Sequence, residues 1–344
     1  QYFWWGSAFL VGVPVMALLL ITGPLLLPEF RDPEARHVDL LSAGLSLCGV
    51  LSVTYAIKRS TLHGFGALSA LLLLVGTALA VVFVRRQRRI ENPLLDLALF
   101  RVPAFATSLA TNTLCVFVIF GSFLGIAQYL QLVLGLSPLA AGLWTVPSSA
   151  GFIVGSLLAP LSLRVLRPEW ALVVGLSLGV LGLCVLGFTT PSSAIAWVVV
   201  GSVLLALGLA PVMTLSTDRI VGFAAPERAG AASALSETGA ELGGALGIAI
   251  LGSLVAGMYR VRMAELALAG LPPAASFAAR DTLSGAIAVA PQLPGVLASR
   301  LLERARAGFS EGMHWTAALS GLLLTFLVLL TARQARSTSV PSES

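Results

Sequence analysis

The chain has 344 residues, 57% of them hydrophobic and only 11% charged, with a net charge of +5 and a mean hydropathy of +0.93. A soluble domain carries about 25% charged residues, and no soluble core of this size hides so much apolar surface, so the natural solvent is lipid. The apolar residues come in blocks of roughly 20, the length a helix needs to cross ~30 Å of hydrocarbon. Barrel strands are about half as long and alternate in polarity. The fold class is an all-α membrane protein. The positive charge does not point to nucleic acid, because the Lys and Arg residues lie mostly in short connecting segments, where membrane topology explains them.

In chain order the hydropathy pattern predicts nine spans: 4–27, 39–57, 65–84, 104–126, 139–163, 169–188, 193–214, 229–257 and 314–332. Pro14, Pro24, Pro147, Pro160 and Pro211 fall within or near the ends of spans, which membrane helices tolerate as kinks. The chain opens at Gln1 without a basic stretch before its first apolar block. This is no signal peptide, and the expectation is that a further segment precedes it.

The connecting segments alternate in basic content. Segments 28–38, 85–103, 164–168 and 215–228 and the tail hold 13 of the 21 basic residues. By the positive-inside rule these are cytoplasmic, which puts the first residues outside and the C-terminus inside. Segment 85–103, RRQRRIENPLLDLALFRVP, reads as a basic juxtamembrane linker. Loop 258–313 mixes Leu and Ala with Arg and Glu and is broken by prolines. Short amphipathic helices over the outer face are expected there. The Ser-rich tail 333–344 is expected to be disordered.

The eighth span carries the most chemistry. Glu237 and Glu241 lie nine and thirteen residues after Arg228, ~13 and ~20 Å along a helix and so near mid-bilayer. Spaced i, i+4, they share a face. Ionised carboxylates at that depth cost at least ~2.5 kcal/mol each. They must therefore meet water, pair with a base or carry a proton. The functional reading is a proton-coupling or cation-binding pair; the structural alternative is hydrogen bonding to a neighbouring helix. Gly239, Gly243 and Gly247 lie nearly opposite on the same helix, so one face is predicted to pack closely on a neighbour.

Other residues carry weaker signals. Asp218 and Arg219, ending the seventh span, are a candidate gate ion pair, or a solvated helix end. Asp39 reads as an N-cap. Phe117, Phe120 and Phe123 recur every three residues and, with Asn112 and Gln128, form a candidate drug pocket for lipophilic cations; core or lipid-facing phenylalanine is the bland alternative. Cys48, Cys115 and Cys184 read as small buried apolar residues. His37, His63 and His314 have no ligand spacing, so no metal site is expected. There is no nucleotide-binding signature and no nucleophile–base pattern, which disfavours an ATP-driven pump and an enzyme.

Four stretches carry a family resemblance: WWGSAFLVGVPV (4–15), ENPLLDLALFRVPAFATSL (91–109), QYLQLVLGLSPLAAGLWTVPSSAGFIVGSLLAPL (128–161) and GLAPVMTLSTDRIVGFAAPERAGAASALSETGAELGGALGIAILGS (208–253). Here the chain resembles the C-terminal part of the fourteen-helix drug:proton antiporters of the major facilitator superfamily, the QacA/EmrB type. The resemblance implies a major facilitator fold in which the nine spans are helices six to fourteen. Residues 1–27 would be the last helix of the N-terminal bundle, 28–103 a linker with two extra transmembrane helices, and 104–332 the C-terminal six-helix bundle. It implies that Glu237 and Glu241 act in coupling or in recognising cationic drugs. It also makes GSLLAPLSLRVLRP, with Gly155 and Arg164, a weaker copy of the cytoplasmic gating motif. The five helices that would precede are not in this sequence.

The expectation is a proton-coupled exporter of lipophilic cations such as quaternary ammonium antiseptics and dyes. It would sit as a monomer in the cell membrane, with protons as coupling ion, no cofactor, and membrane lipids as its other partners. The alternatives are a selective exporter of an endogenous lipid, siderophore or antibiotic, and a non-transporting membrane sensor or scaffold.

Overall fold

A computed structural model describes residues 6–10, 12–26, 39–63, 66–90, 99–224, 229–264 and 273–337. The chain divides into two bodies, residues 1–38 and 39–344. In the first, a single turn α1 (Ser7–Leu10) precedes α2 (Gly12–Leu26), which is mostly apolar and has no buried residue. Its 15 residues are shorter than the expected span 4–27, whose flanks lie outside the described residues.

Among its described residues the second body contains eight helices long and apolar enough to cross a membrane. The first two form a hairpin, α3 (Leu40–His63) and α4 (Ala67–Gln87). Asp39 caps α3 by accepting from the backbone N–H of Ser42 at 3.3 Å. Its carboxylate also takes both arms of Arg86, at 3.0 and 3.1 Å. Gln87, buried, donates to the Ser42 hydroxyl at 2.8 Å. The Arg86 guanidinium holds the Asp39 carboxyl down at about 2. The N-cap reading of Asp39 was therefore incomplete: the same side chain joins the two helices.

Six further long helices form a bundle: α5 (Pro103–Gln128), α6 (Pro138–Ser162), α7 (Pro168–Gly187), α8 (Ile195–Gly222), α9 (Ala229–Ala264) and α12 (Gly295–Ser337). Pro103, Pro138 and Pro168 each open a helix at N1, where proline has no lost hydrogen bond to pay for. The α5 helix continues into a π-helical turn, Tyr129–Val133, and stops at Gly135 (φ 71°), which takes the left-handed cap conformation that favours glycine. Ser137 then caps α6 by accepting from the N–H of Ala140.

Packing partners give the helix directions. Thr113 and Phe117 of α5 meet Gly243 and Gly247 of α9, so these two run parallel. Gly151 and Gly155 of α6 meet Val203 and Leu207 of α8, again parallel. α7 runs antiparallel to α8 and to α12. The two parallel pairs exchange if α5 is swapped with α8 and α6 with α9, the relation an inverted three-helix repeat produces. One end of the bundle is basic. Phe105, Ile220 and Ala232 close it as a small core, Gln334 donates to Thr107 there, and Arg101 just before α5 and Arg164 and Arg167 between α6 and α7 lie at the same end of their helices.

The opposite end holds the expected short helices and, beyond expectation, extensions of two long ones. Loop 258–313 is mostly helical: α9 runs on to Ala264, the short helices α10 (Pro273–Asp281) and α11 (Leu283–Val289) follow, and α12 begins at Gly295. With 43 residues, α12 is ~65 Å long, about twice the hydrocarbon thickness. Hydropathy sees only the membrane-crossing part of such a helix, so the expected span, 314–332, covers only part of α12. Arg262 of α9 pairs bidentately with Glu311 of α12, and Tyr259 donates to the carbonyls of Ala279 and Thr282 at 2.7 and 3.0 Å. α12 also continues through Ser337, past the expected start of the tail at 333; residues 338–344 lie outside the description. Cys115 is buried, but Cys48 and Cys184 lie on exposed helix faces. In lipid, an apolar side chain need not enter the protein core.

Candidate functional site

The site is built on the seam between α5 and α9. A Cβ at Gly243 would run into the carbonyl of Thr113, and one at Gly247 into that of Phe117. Only glycine lets the two backbones come this close. Deeper toward the basic end, Asn112 is 3% exposed and its side-chain amide donates to the hydroxyl of Ser236 at 3.2 Å. The Asn112 carbonyl oxygen is buried without a hydrogen-bond partner among the described residues.

With its glycine face seated on α5, α9 turns the other way with Glu237 and Glu241, and both are exposed. They lie eight and twelve residues from the start of the helix at Ala229, ~12 and ~18 Å along it. One turn beyond Glu241, the ring of Phe120 covers Gly244: a Cβ there would sit 3.3 Å from Phe120 Cδ1. Phe120 itself is 51% exposed. The exposed ring of Phe120 and the two carboxylates thus lie within about two turns of one another along α9, and both kinds of group attract cations.

The remaining candidates are not gathered there. Phe117 is buried, Phe123 is half-buried against the main core, and Gln128 is exposed at the far end of α5. Residues three apart on an α-helix drift by about 60° per step. The three phenylalanines therefore fan around α5 and do not enclose one pocket.

The gate candidates also separate. Gly155 is buried, and a Cβ there would sit 2.7 Å from the carbonyl oxygen of Leu207. Its immediate role is the close approach of α6 to α8. Arg164 is exposed in the turn after α6, and Asp218 is exposed on α8. Arg219 pairs with Glu169 in the first turn of α7, at 3.3 Å. Adjacent helical residues point about 100° apart, which is why Arg219 finds a partner on another helix and not in Asp218.

Sequence reasoning missed three residues: Ser236, Gly244 and Glu169. Ser236 stands in a run of small residues that offers no signal. Glu169 follows Pro168 and signals only a helix start.

Residues 1–248 match the family model described as Major Facilitator Superfamily. Three relatives are similar over most of the chain. The multidrug efflux pump LfrA of Mycolicibacterium smegmatis is 37% identical over 94% of the chain and 64% of its own length. The tetracenomycin C resistance and export protein of Streptomyces glaucescens is 30% identical over 100% of the chain and 66% of its own length. The methyl viologen resistance protein SmvA of Salmonella typhimurium is 30% identical over 94% of the chain and 66% of its own length. The chain thus spans just under two thirds of the length of these relatives. With eight membrane-length helices and this match across its first 248 residues, the chain is a multi-pass membrane protein that belongs to the Major Facilitator Superfamily.

Proposed function

We propose that the protein is a proton-coupled efflux transporter for lipophilic cationic compounds, including quaternary ammonium antiseptics and dyes. One observation carries this reading: Glu237 and Glu241 are exposed on α9, away from the face seated on α5, in a helix of membrane-spanning length. Carboxylates at such depth are costly unless they take up protons or cations. In this reading, proton and drug compete for the pair, and the exposed ring of Phe120 adds an aromatic platform for the drug. The names of the relatives, a multidrug efflux pump and two resistance proteins, support drug export.

The proposal extends to the frame around the site. The chain supplies helices six to fourteen of a fourteen-helix transporter in the cell membrane, acting as a monomer with protons as its coupling ion. The basic end of the bundle and the C-terminus face the cytoplasm, as the positive-inside rule requires.

A second reading, export of a compound made by the producing cell itself, draws on the similarity to a tetracenomycin C resistance and export protein. Competition between dye and an endogenous product for efflux separates the two.

The test is ethidium efflux driven by a proton gradient in proteoliposomes. Glu237→Gln and Glu241→Gln, singly and together, are expected to reduce gradient-driven efflux by about a hundredfold, the lower end of what one proton-transferring side chain contributes. Unchanged efflux in the double variant overturns the proposal.

A further inference from the structure

We propose that the arginine-bearing end of α4 is a binding site for an anionic phospholipid of the surrounding bilayer. The four residues Arg85–Arg88 divide their work. Arg86 and Gln87 turn to α3, where they bind Asp39 and Ser42. Arg85 and Arg88 are exposed, and neither has a carboxylate partner among the described residues. Spaced i, i+3, these two guanidiniums are neighbours on the helix surface.

Beneath them the surface of α4 is apolar and concave. A cleft of about 350 Å³ is lined by Thr77, Ala80, Val81 and Val84 and ends at Arg85 and Arg88. A second, of about 610 Å³, shares Thr77, Val81 and Arg85 and continues to Leu73 and Leu74. From Leu73 to Arg85 is ~18 Å along the helix, close to the ~15 Å depth of one leaflet. The charge is confined to one end and the rest is apolar, which is the complement of a single phospholipid lying with its acyl chain along α4 and its phosphate at the guanidiniums. Two arginine forks favour a phosphodiester with net negative charge over a zwitterionic headgroup, whose own cation competes for the phosphate.

The site makes no use of Glu237, Glu241 or transport, so it stands independently of the function proposed above. The test uses the purified protein in nanodiscs of phosphatidylcholine containing phosphatidylglycerol, with the retained lipid counted by native mass spectrometry. Retention of phosphatidylglycerol over phosphatidylcholine is expected. In Arg85→Gln/Arg88→Gln that preference is expected to fall about thirtyfold, the effect of two surface arginines at ~1 kcal/mol each. Arg167→Gln, a basic change elsewhere on the chain, is expected to leave it intact. Arg85→Lys/Arg88→Lys, which keeps the charge but loses the bidentate fork, is expected to weaken the preference severalfold; it serves if the glutamine variant fails to fold, and an undiminished preference in it overturns the proposal. Equal retention of the two lipids by the wild type, or an undiminished preference in the double glutamine variant, overturns the proposal. So does full displacement of the lipid by millimolar glycerol 1-phosphate, which would mean that the arginines bind a free phosphate ester and the groove contributes nothing.

Discussion

Arg219, near the end of α8, reaches the carboxylate of Glu169 in the first turn of α7 at 3.3 Å, with both side chains about one fifth exposed. The pair ties the end of one helix to the start of another at the basic end of the bundle. Glu169 also places its negative charge at a helix N-terminus, where the backbone dipole favours it. Pairs this exposed to water are weakened by screening, so the expected coupling is on the order of 1 kcal/mol. A double-mutant cycle with Glu169→Gln and Arg219→Gln, read by thermal unfolding in detergent, measures it. A coupling of zero would show the contact to be incidental.

The α5–α9 seam is expected to be the least tolerant of added volume. Gly247→Ala puts a methyl group against the carbonyl of Phe117, and forced overpacking costs about 1–3 kcal/mol. Gly257→Ala on the same helix meets nothing within 4 Å and is expected to be neutral or slightly stabilising through helix propensity. Melting temperatures of the two variants should move in opposite directions or differ clearly. Equal shifts would mean that the helices are not in close contact.

The Asn112–Ser236 hydrogen bond gives the same seam its polar register. Hydrogen bonds between membrane helices couple by about 0.6 kcal/mol on average. Asn112→Ala and Ser236→Ala are expected to be non-additive by roughly that amount, with Asn112→Ala the costlier because it also leaves a void. Strictly additive losses would show that the two side chains do not interact.

The Asp39 carboxyl is held at about 2, against 3.8 when unperturbed. A depressed carboxyl contributes stability above its unfolded value and loses that contribution as the pH falls toward its folded one. Asp39→Asn should therefore lower the melting temperature at pH 7, and the difference from wild type should shrink between about pH 4 and pH 2. No difference at pH 7 would mean that Asp39 acts through its N-cap alone, which an asparagine side chain can replace.

Much of the architecture is legible from the residues in order. The number and placement of the spans from 39 onward follow from apolar block length, because a helix in lipid must be long and uncharged whatever its neighbours do. The glycine face of α9 opposite its glutamates follows from a periodicity of 3.6 residues. What lies outside the hydrocarbon was only partly legible for the same reason: the short helices were expected, the extension of α12 was not. The first turns of α12, with Arg300, Glu303, Arg304 and Arg306, are helical without being hydrophobic, and a hydropathy window has nothing there to detect.

Partner choice was decided by the tertiary structure alone. Nothing local says that Arg219 meets Glu169 and not Asp218, that Asn112 finds Ser236 124 positions away, or that Asp39 bridges to Arg86. Those pairings depend on which helices lie side by side and in which direction they run. The sequence by itself determined that this chain lives in lipid, which segments are long and apolar enough to cross it and which helix carries the paired glutamates, since each of these is set by the cost of moving single groups out of water. The neighbours of each helix come from close packing between surfaces far apart in the chain, and only the folded bundle brings those surfaces together.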